Sequence, residues 1–134
     1  MSATYPDDLL YTKDHEWARV EDKGGQKVAT IGITRFAVDQ LGDVTQVELP
    51  REGDSVKQSE VFGSVESVKA VSEIFIPIGG EITEVNDGLN DTPEAVNNDP
   101  YEAGWMVKVK MDNPLEADAM LSAVEYEEYL AASE

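Results

Sequence analysis

The sequence predicts a mainly β protein: a small β-sandwich or flattened barrel with short peripheral helices and a C-terminal helix. Three observations carry this. Short runs rich in Val, Ile and Thr recur between clusters of Gly, Pro, Asp and Asn, the pattern of strands and turns. Helical patterning is confined to residues 34–42, a short stretch at 91–94 and the tail beyond Asn113. Two strand-like runs, 61–66 and 71–76, stand on either side of a tight turn that projects Lys69 into solvent. At 134 residues the chain is expected to form one domain, 1–134, large enough to bury a core.

Taken in order, Glu16 to Val20 reads as a strand and Asp22-Lys23-Gly24-Gly25 as a turn. Val28, Ile31 and Ile33 mark a returning, largely buried strand. Thr34 is placed to cap a short helix patterned by Phe36, Ala37, Gln40 and Leu41 and ended by Gly42. Val44, Val47 and Leu49 form the next strand, which Pro50 stops. Glu52-Gly53-Asp54 is a turn, and Val56 leads toward the central hairpin. Val61 and Pro77 each lie eight residues from Lys69, so the sequence has a rough two-fold organisation about that lysine. Gly79-Gly80 marks a turn or bulge, and residues 81–85 alternate as a half-exposed strand should. Asp91-Thr92-Pro93-Glu94 reads as a helical first turn, and residues 105–111 as the last strand. In the tail, Asn113-Pro114-Leu115-Glu116 and Ser122-Ala123-Val124-Glu125 both have capping-box form. Leu115, Met120, Leu121, Val124, Tyr126, Tyr129 and Leu130 are expected to pack onto the sheets.

The charge balance is strongly acidic, 28 Asp plus Glu against 10 Lys plus Arg, a net −18. It is also uneven: residues 1–67 carry 13 acids and 7 bases, residues 68–134 carry 15 acids and 3 bases. Such a surface repels phosphate backbones and anionic lipid, so neither nucleic-acid nor membrane binding is expected. It fits steering toward basic partner proteins, and equally solubility or adaptation to a salty cytoplasm. The N-terminal residues show no signal-peptide pattern, which makes a cytoplasmic protein the expectation. Without cysteine and with one histidine, His15, there is no cysteine nucleophile, disulfide or cysteine-containing zinc site. His15 has no metal-binding companion and is expected to pack or hydrogen-bond, while Trp17 and Trp105 read as core or cleft-wall aromatics. Redox or covalent chemistry therefore has to come from a group added to the protein.

Residues 54–90 contain two lysines, Lys57 and Lys69, and the second falls on the turn. A lysine there is commonly an ordinary hydrated cation. It is also placed where acylation is feasible, because an enzyme can grip a rigid exposed turn, and Glu66, Val68 and Ala70 give it a compact setting.

Gly63-Ser64-Val65-Glu66-Ser67-Val68-Lys69-Ala70 resembles the lipoylation site of the glycine cleavage system H protein family. The likeness extends to Tyr11-Thr12-Lys13-Asp14-His15-Glu16-Trp17, Ile31-Gly32-Ile33-Thr34, Leu41-Gly42-Asp43, Val47-Glu48-Leu49-Pro50, Gly80-Glu81-Ile82-Thr83-Glu84-Val85-Asn86, Asn98-Asp99-Pro100-Tyr101 and Gly104-Trp105. It covers nearly the whole chain from Tyr11 onward. The resemblance implies a β fold of the lipoyl-domain (hammerhead) type and a carrier rather than an enzyme. Lipoic acid would be joined as an amide to Lys69, with Glu66 and Ala70 in the recognition turn. The arm would shuttle the aminomethyl group of glycine among glycine decarboxylase, aminomethyltransferase and dihydrolipoyl dehydrogenase, after loading by a lipoate-attaching enzyme. Glu16 would bond the amino group of the loaded arm in a surface cleft; apart from the family it reads as an exposed strand glutamate. A carrier that visits several enzymes is expected to be a monomer. The chain departs from the family's usual pattern at Arg35-Phe36 and Gly79, the first bearing on docking near residues 34–42, the second on a turn.

Other readings remain open at this stage. A biotin carrier shares the hairpin lysine, but there it sits between methionines, whereas Val68 and Ala70 flank it here. An acidic β module binding a basic protein without covalent chemistry, a paired-carboxylate enzyme, and a relay passing lipoyl groups to other complexes are the remaining alternatives.

Overall fold

The computed structural model describes residues 5–133. The first four residues, part of the stretch read as lacking a leader pattern, lie outside them. Nine strands form two antiparallel sheets: β1 Leu10–Tyr11, β2 Glu16–Lys23, β3 Gln26–Ile33, β4 Val44–Glu48, β5 Ser55–Val56, β6 Val61–Ser67, β7 Val71–Phe75, β8 Gly80–Val85 and β9 Val107–Met111. The helices are α1 Arg35–Leu41, α2 Ala95–Asn98 and α3 Ala123–Ser133, with 3-10 turns at Asp87–Asn90 and Pro114–Ala119. One sheet has six strands in the order β1-β2-β3-β9-β8-β5, the other three in the order β4-β6-β7. Among the described residues no pairing closes either sheet, so the sandwich form is the one adopted.

The sheets meet through their apolar faces. Ile31, Ile82, Val107 and Val109 from the large sheet and Val47, Phe62, Val65 and Ile74 from the small one belong to a single buried cluster. Each fully buried side chain of this kind contributes about 1.5–3 kcal/mol. A second cluster joins Leu9, Tyr11, Trp17 and Tyr101 to Ala123, Tyr126 and Leu130 of α3, fastening the C-terminal helix to the start of the chain. Trp17 pairs with Gly32 across β2 and β3, and a Cβ at Gly32 would lie 2.6 Å from the indole. Glycine is what lets the ring lie on the backbone, with its Nε1 donating to the Pro100 carbonyl at 3.1 Å.

The two-fold organisation about Lys69 is real in pairing terms. β6 pairs with β7 and β5 with β8, and Val61↔Phe75 and Val56↔Gly80 share a midpoint one residue from the lysine. The halves separate into different sheets beyond the hairpin foot.

Several local expectations are met with adjustments. Thr34 caps α1, its side chain accepting from the Ala37 amide, and Gly42 ends it. The helix expected to begin at 91–94 starts later, at Ala95, because residues 87–90 take a 3-10 turn first. The Ser122–Glu125 capping box forms in both directions, at 2.9 and 3.2 Å. The one at Asn113 is half made: Asn113 caps the Leu115 amide, but Glu116 turns away to accept from the Gly79 amide at 2.8 Å. Leu115 and Val124, expected on the core side, are 70% and 62% exposed. Ala123, Tyr126 and Leu130 form the buried stripe of α3 and leave Val124 outside it, and the Pro114–Ala119 turn buries none of its residues.

Candidate functional site

Residues 67–70 form the hairpin tip, and their backbone is held although Val68, Lys69 and Ala70 are exposed. The Ser67 amide donates to the Ala70 carbonyl at 2.8 Å, and the Val68 amide to the Asp43 carbonyl at 3.1 Å. The amides of Lys69 and Ala70 both donate to Ser67 Oγ, at 3.2 and 3.1 Å. All four N–H groups thus have protein partners, which is unusual for a solvent-facing turn, where water ordinarily serves.

The Lys69 side chain runs back over Gly42, where a Cβ would come within 3.0 Å of Lys69 Cε. Gly42 has φ +76°, a conformation L side chains rarely adopt, so its identity serves both the helix end and the lysine's path. Among the described residues Lys69 makes no ion pair. Its flanks are apolar: Val68 and Val71 are 69% and 65% exposed. Glu66 is half-buried on β6 opposite Val71, and its carbonyl accepts from the Thr45 hydroxyl at 3.3 Å.

The platform beneath the tip is tied down by Asn97. Its amide nitrogen donates to the Gly42 carbonyl and its oxygen accepts from the Val44 amide, both at 2.8 Å. The Asn97 carbonyl in turn accepts from the Arg35 guanidinium at 2.7 Å. Phe36 packs on His15, ring centroids 4.5 Å apart. The Arg35-Phe36 departure is therefore absorbed in internal contacts. So is Gly79, where a Cβ would meet the Val56 carbonyl and the Gln58 amide, both at 2.9 Å.

Glu16 lies at the other end of the hairpin and is not the exposed strand residue its sequence context suggested: it is 2% exposed. The cause is tertiary, since β7 ends against it and the Phe75 amide donates to Oε2 at 3.3 Å, while the Thr12 hydroxyl donates to Oε1 at 2.7 Å. Burial pushes its carboxyl up to about 7; the bonds from Thr12 and Phe75 oppose this, and the nearby Asp14 charge adds to it. Glu16 lines a cleft of ≈ 260 Å³ with Thr12, Gln58, Ser59, Phe75 and Met120. A neighbouring cleft of ≈ 150 Å³ lies between α1 and β7, bounded by Asp14, His15, Gln40, Leu41 and Glu73. Asp14 borders both.

Lys69, Glu66 and Ala70 are thus brought together at the tip. Glu16 is not beside them: Phe75 lies six positions from Lys69 along the hairpin, roughly 20 Å at the rise of a strand. His15 hydrogen-bonds as expected, its Nδ1 2.7 Å from the Tyr126 hydroxyl, which also lies 2.9 Å from Thr34 Oγ1. Burial lowers the imidazole's proton affinity. No cluster of three or more His, Asp or Glu side chains suited to a metal ion occurs among the described residues. Ser67 and Asn97 were missed in the sequence. A serine near an exposed turn is a turn-forming signal, whereas Asn97 is brought to Gly42 and Val44 from α2, more than fifty residues away, and left no local mark.

The glycine cleavage H-protein family model matches residues 9–133. A glycine cleavage system H protein of Anaeromyxobacter sp. (strain K) is 52% identical over 129 residues, covering 96% of this chain and 98% of that one. One from Staphylococcus carnosus is 50% identical over 125 residues, covering 93% and 96%. The crystal structure of a glycine cleavage system H protein from Mycobacterium marinum superposes with a TM-score of 0.85 at 38% identity, covering 94% of this chain and 98% of that one. A family match over nearly the whole chain, relatives aligned almost end to end and a shared fold lead to one conclusion: this chain belongs to the glycine cleavage H-protein family, the lipoyl carriers of the glycine cleavage system.

Proposed function

We propose that Lys69 is the attachment point for lipoic acid, joined as an amide at Nζ, and that the cleft lined by Glu16 receives the loaded arm. The observation that carries the first part is the tip: an exposed amine without an ion pair, on a backbone whose four amides are all bound. Acylating Nζ removes a charge that is in no ion pair among the described residues, so none of those pairs is lost by it. When attached, the dithiolane supplies a disulfide that accepts an aminomethyl group and is later restored by oxidation.

The chain's own residues anchor and receive. Val68 and Val71 offer an apolar collar around the amine for an attaching enzyme, with Glu66 and Ala70 completing the turn it reads. The tip is held to the loop after α1 through the Asp43 carbonyl, so the lysine is presented from a fixed place. Among the described residues Glu16 has two neutral hydrogen-bond donors and no cation, which is why burial dominates its titration. A protonated amine entering the cleft would provide the missing positive partner. The absence of cysteine keeps protein thiols from exchanging with the arm. Glycine decarboxylase, aminomethyltransferase, dihydrolipoyl dehydrogenase and the lipoate-attaching enzyme are the partners this role requires, and the −18 net charge favours encounter with basic docking faces.

Co-expression with a lipoate-attaching enzyme and lipoate tests the assignment. Intact mass should rise by one lipoyl group in the wild type and stay unchanged in Lys69→Arg. A wild type without the adduct, or a variant that keeps it, would refute it.

A further inference from the structure

The hairpin tip owes much of its shape to one hydroxyl. Ser67 Oγ accepts from the amides of Lys69 (3.2 Å) and Ala70 (3.1 Å) and donates to the Ala70 carbonyl (3.2 Å). A hydroxyl has one proton and two lone pairs, so its whole bonding capacity is taken up within the turn. Two further bonds of the tip, Ser67 N to Ala70 O and Val68 N to Asp43 O, are independent of it. Removing the hydroxyl would therefore leave the hairpin closed while releasing the two peptide groups on either side of the Lys69 side chain.

We infer that Ser67 is a positioning residue for acylation of Lys69, fixing the backbone from which the amine is presented; this rests on the reading of Lys69 as the modified residue. The acyl donor is a lipoyl–adenylate, a mixed anhydride formed from lipoate and ATP on the attaching enzyme. The neutral Nζ attacks the acyl carbon and a C–N bond forms. The acyl C–O bond to phosphate breaks, AMP leaves with that electron pair, and the proton lost from nitrogen passes to solvent. Nothing is oxidised or reduced. Ser67 takes part in none of these bonds. It restricts the tip before encounter, so ordering Lys69 and Ala70 does not have to be done at the expense of binding.

The test follows modification by intact mass, using the full-length protein, purified attaching enzyme, ATP and lipoate. Amide exchange of the tip peptide and thermal melting are measured alongside. Ser67→Ala should lower kcat/KM by about tenfold, mainly through KM, with faster exchange at residues 68–70 and an unchanged Tm. Ser67→Thr keeps the hydroxyl and should restore both rate and protection. Modification of Ser67→Ala at the wild-type rate, a loss that Thr does not restore, or a loss that tracks a fall in Tm would overturn the inference alone. A wild type that takes up no lipoyl group, or a Lys69→Arg variant that does, would remove the Lys69 reading and this inference together.

Discussion

The two ends of one hairpin treat charge in opposite ways. At the tip, Lys69 is exposed and in no ion pair among the described residues, and order resides in the backbone beneath it. At the foot, Glu16 is buried against the end of β7, with two hydrogen-bond donors and, among the described residues, no counter-cation. The tip leaves its lysine exposed while holding the main chain beneath it. The foot holds a carboxyl where ionisation is costly, so a cation arriving there is worth more than at the surface. Under the proposed function, the first end is the one other proteins reach and the second is the one that receives what the first carries.

Substitutions at the two ends should therefore separate modification from stability. Lys69→Arg is expected to abolish lipoylation entirely while changing stability by less than about 0.5 kcal/mol, since the side chain makes no ion pair. Equal losses of both would erase the distinction. Glu16→Gln is expected to do the reverse. The folded carboxyl is raised from 4.5 to about 7, so the native state holds its proton more tightly than the unfolded chain. Stability from this group is full below about pH 4.5 and lost as pH rises through about 7, on the order of 2–3 kcal/mol by pH 8. Melts from pH 5 to 8 should show the wild type losing stability relative to Glu16→Gln, with lipoylation intact in both. A difference independent of pH would mean the carboxyl does not titrate there. The smallest effect belongs to the platform. Asn97→Ala unpairs the Gly42 carbonyl and the Val44 amide, costing about 1–2 kcal/mol. Amide exchange should quicken at Val68, whose partner Asp43 lies between them; unchanged exchange would show the tip to be independent of Asn97.

What could be read from the sequence was whatever is encoded locally. The hairpin, the Thr34 cap, the Gly42 stop and the Ser122–Glu125 box all depend on residues a few positions apart, and all are present. β1 and β5, two residues each, are too short to show an alternating pattern and are defined only by pairing with β2 and β8. Glu16 shows the same limit at the site. Its place at the start of β2 says nothing of Phe75, which buries it from 59 residues away. Glu116 had the right spacing for a cap but found a stronger use in the Gly79 amide, 37 residues distant. Lys69 could be singled out because a turn and its neighbours mark it; the hydroxyl that holds the turn stood two residues away.

The most direct test of the account is the mass of the protein purified from its native host, followed by peptide mapping. The account predicts a single lipoyl group, carried on the peptide containing Lys69 and on no other. A lipoyl group on another lysine, or a Lys69 left unmodified throughout, would contradict it.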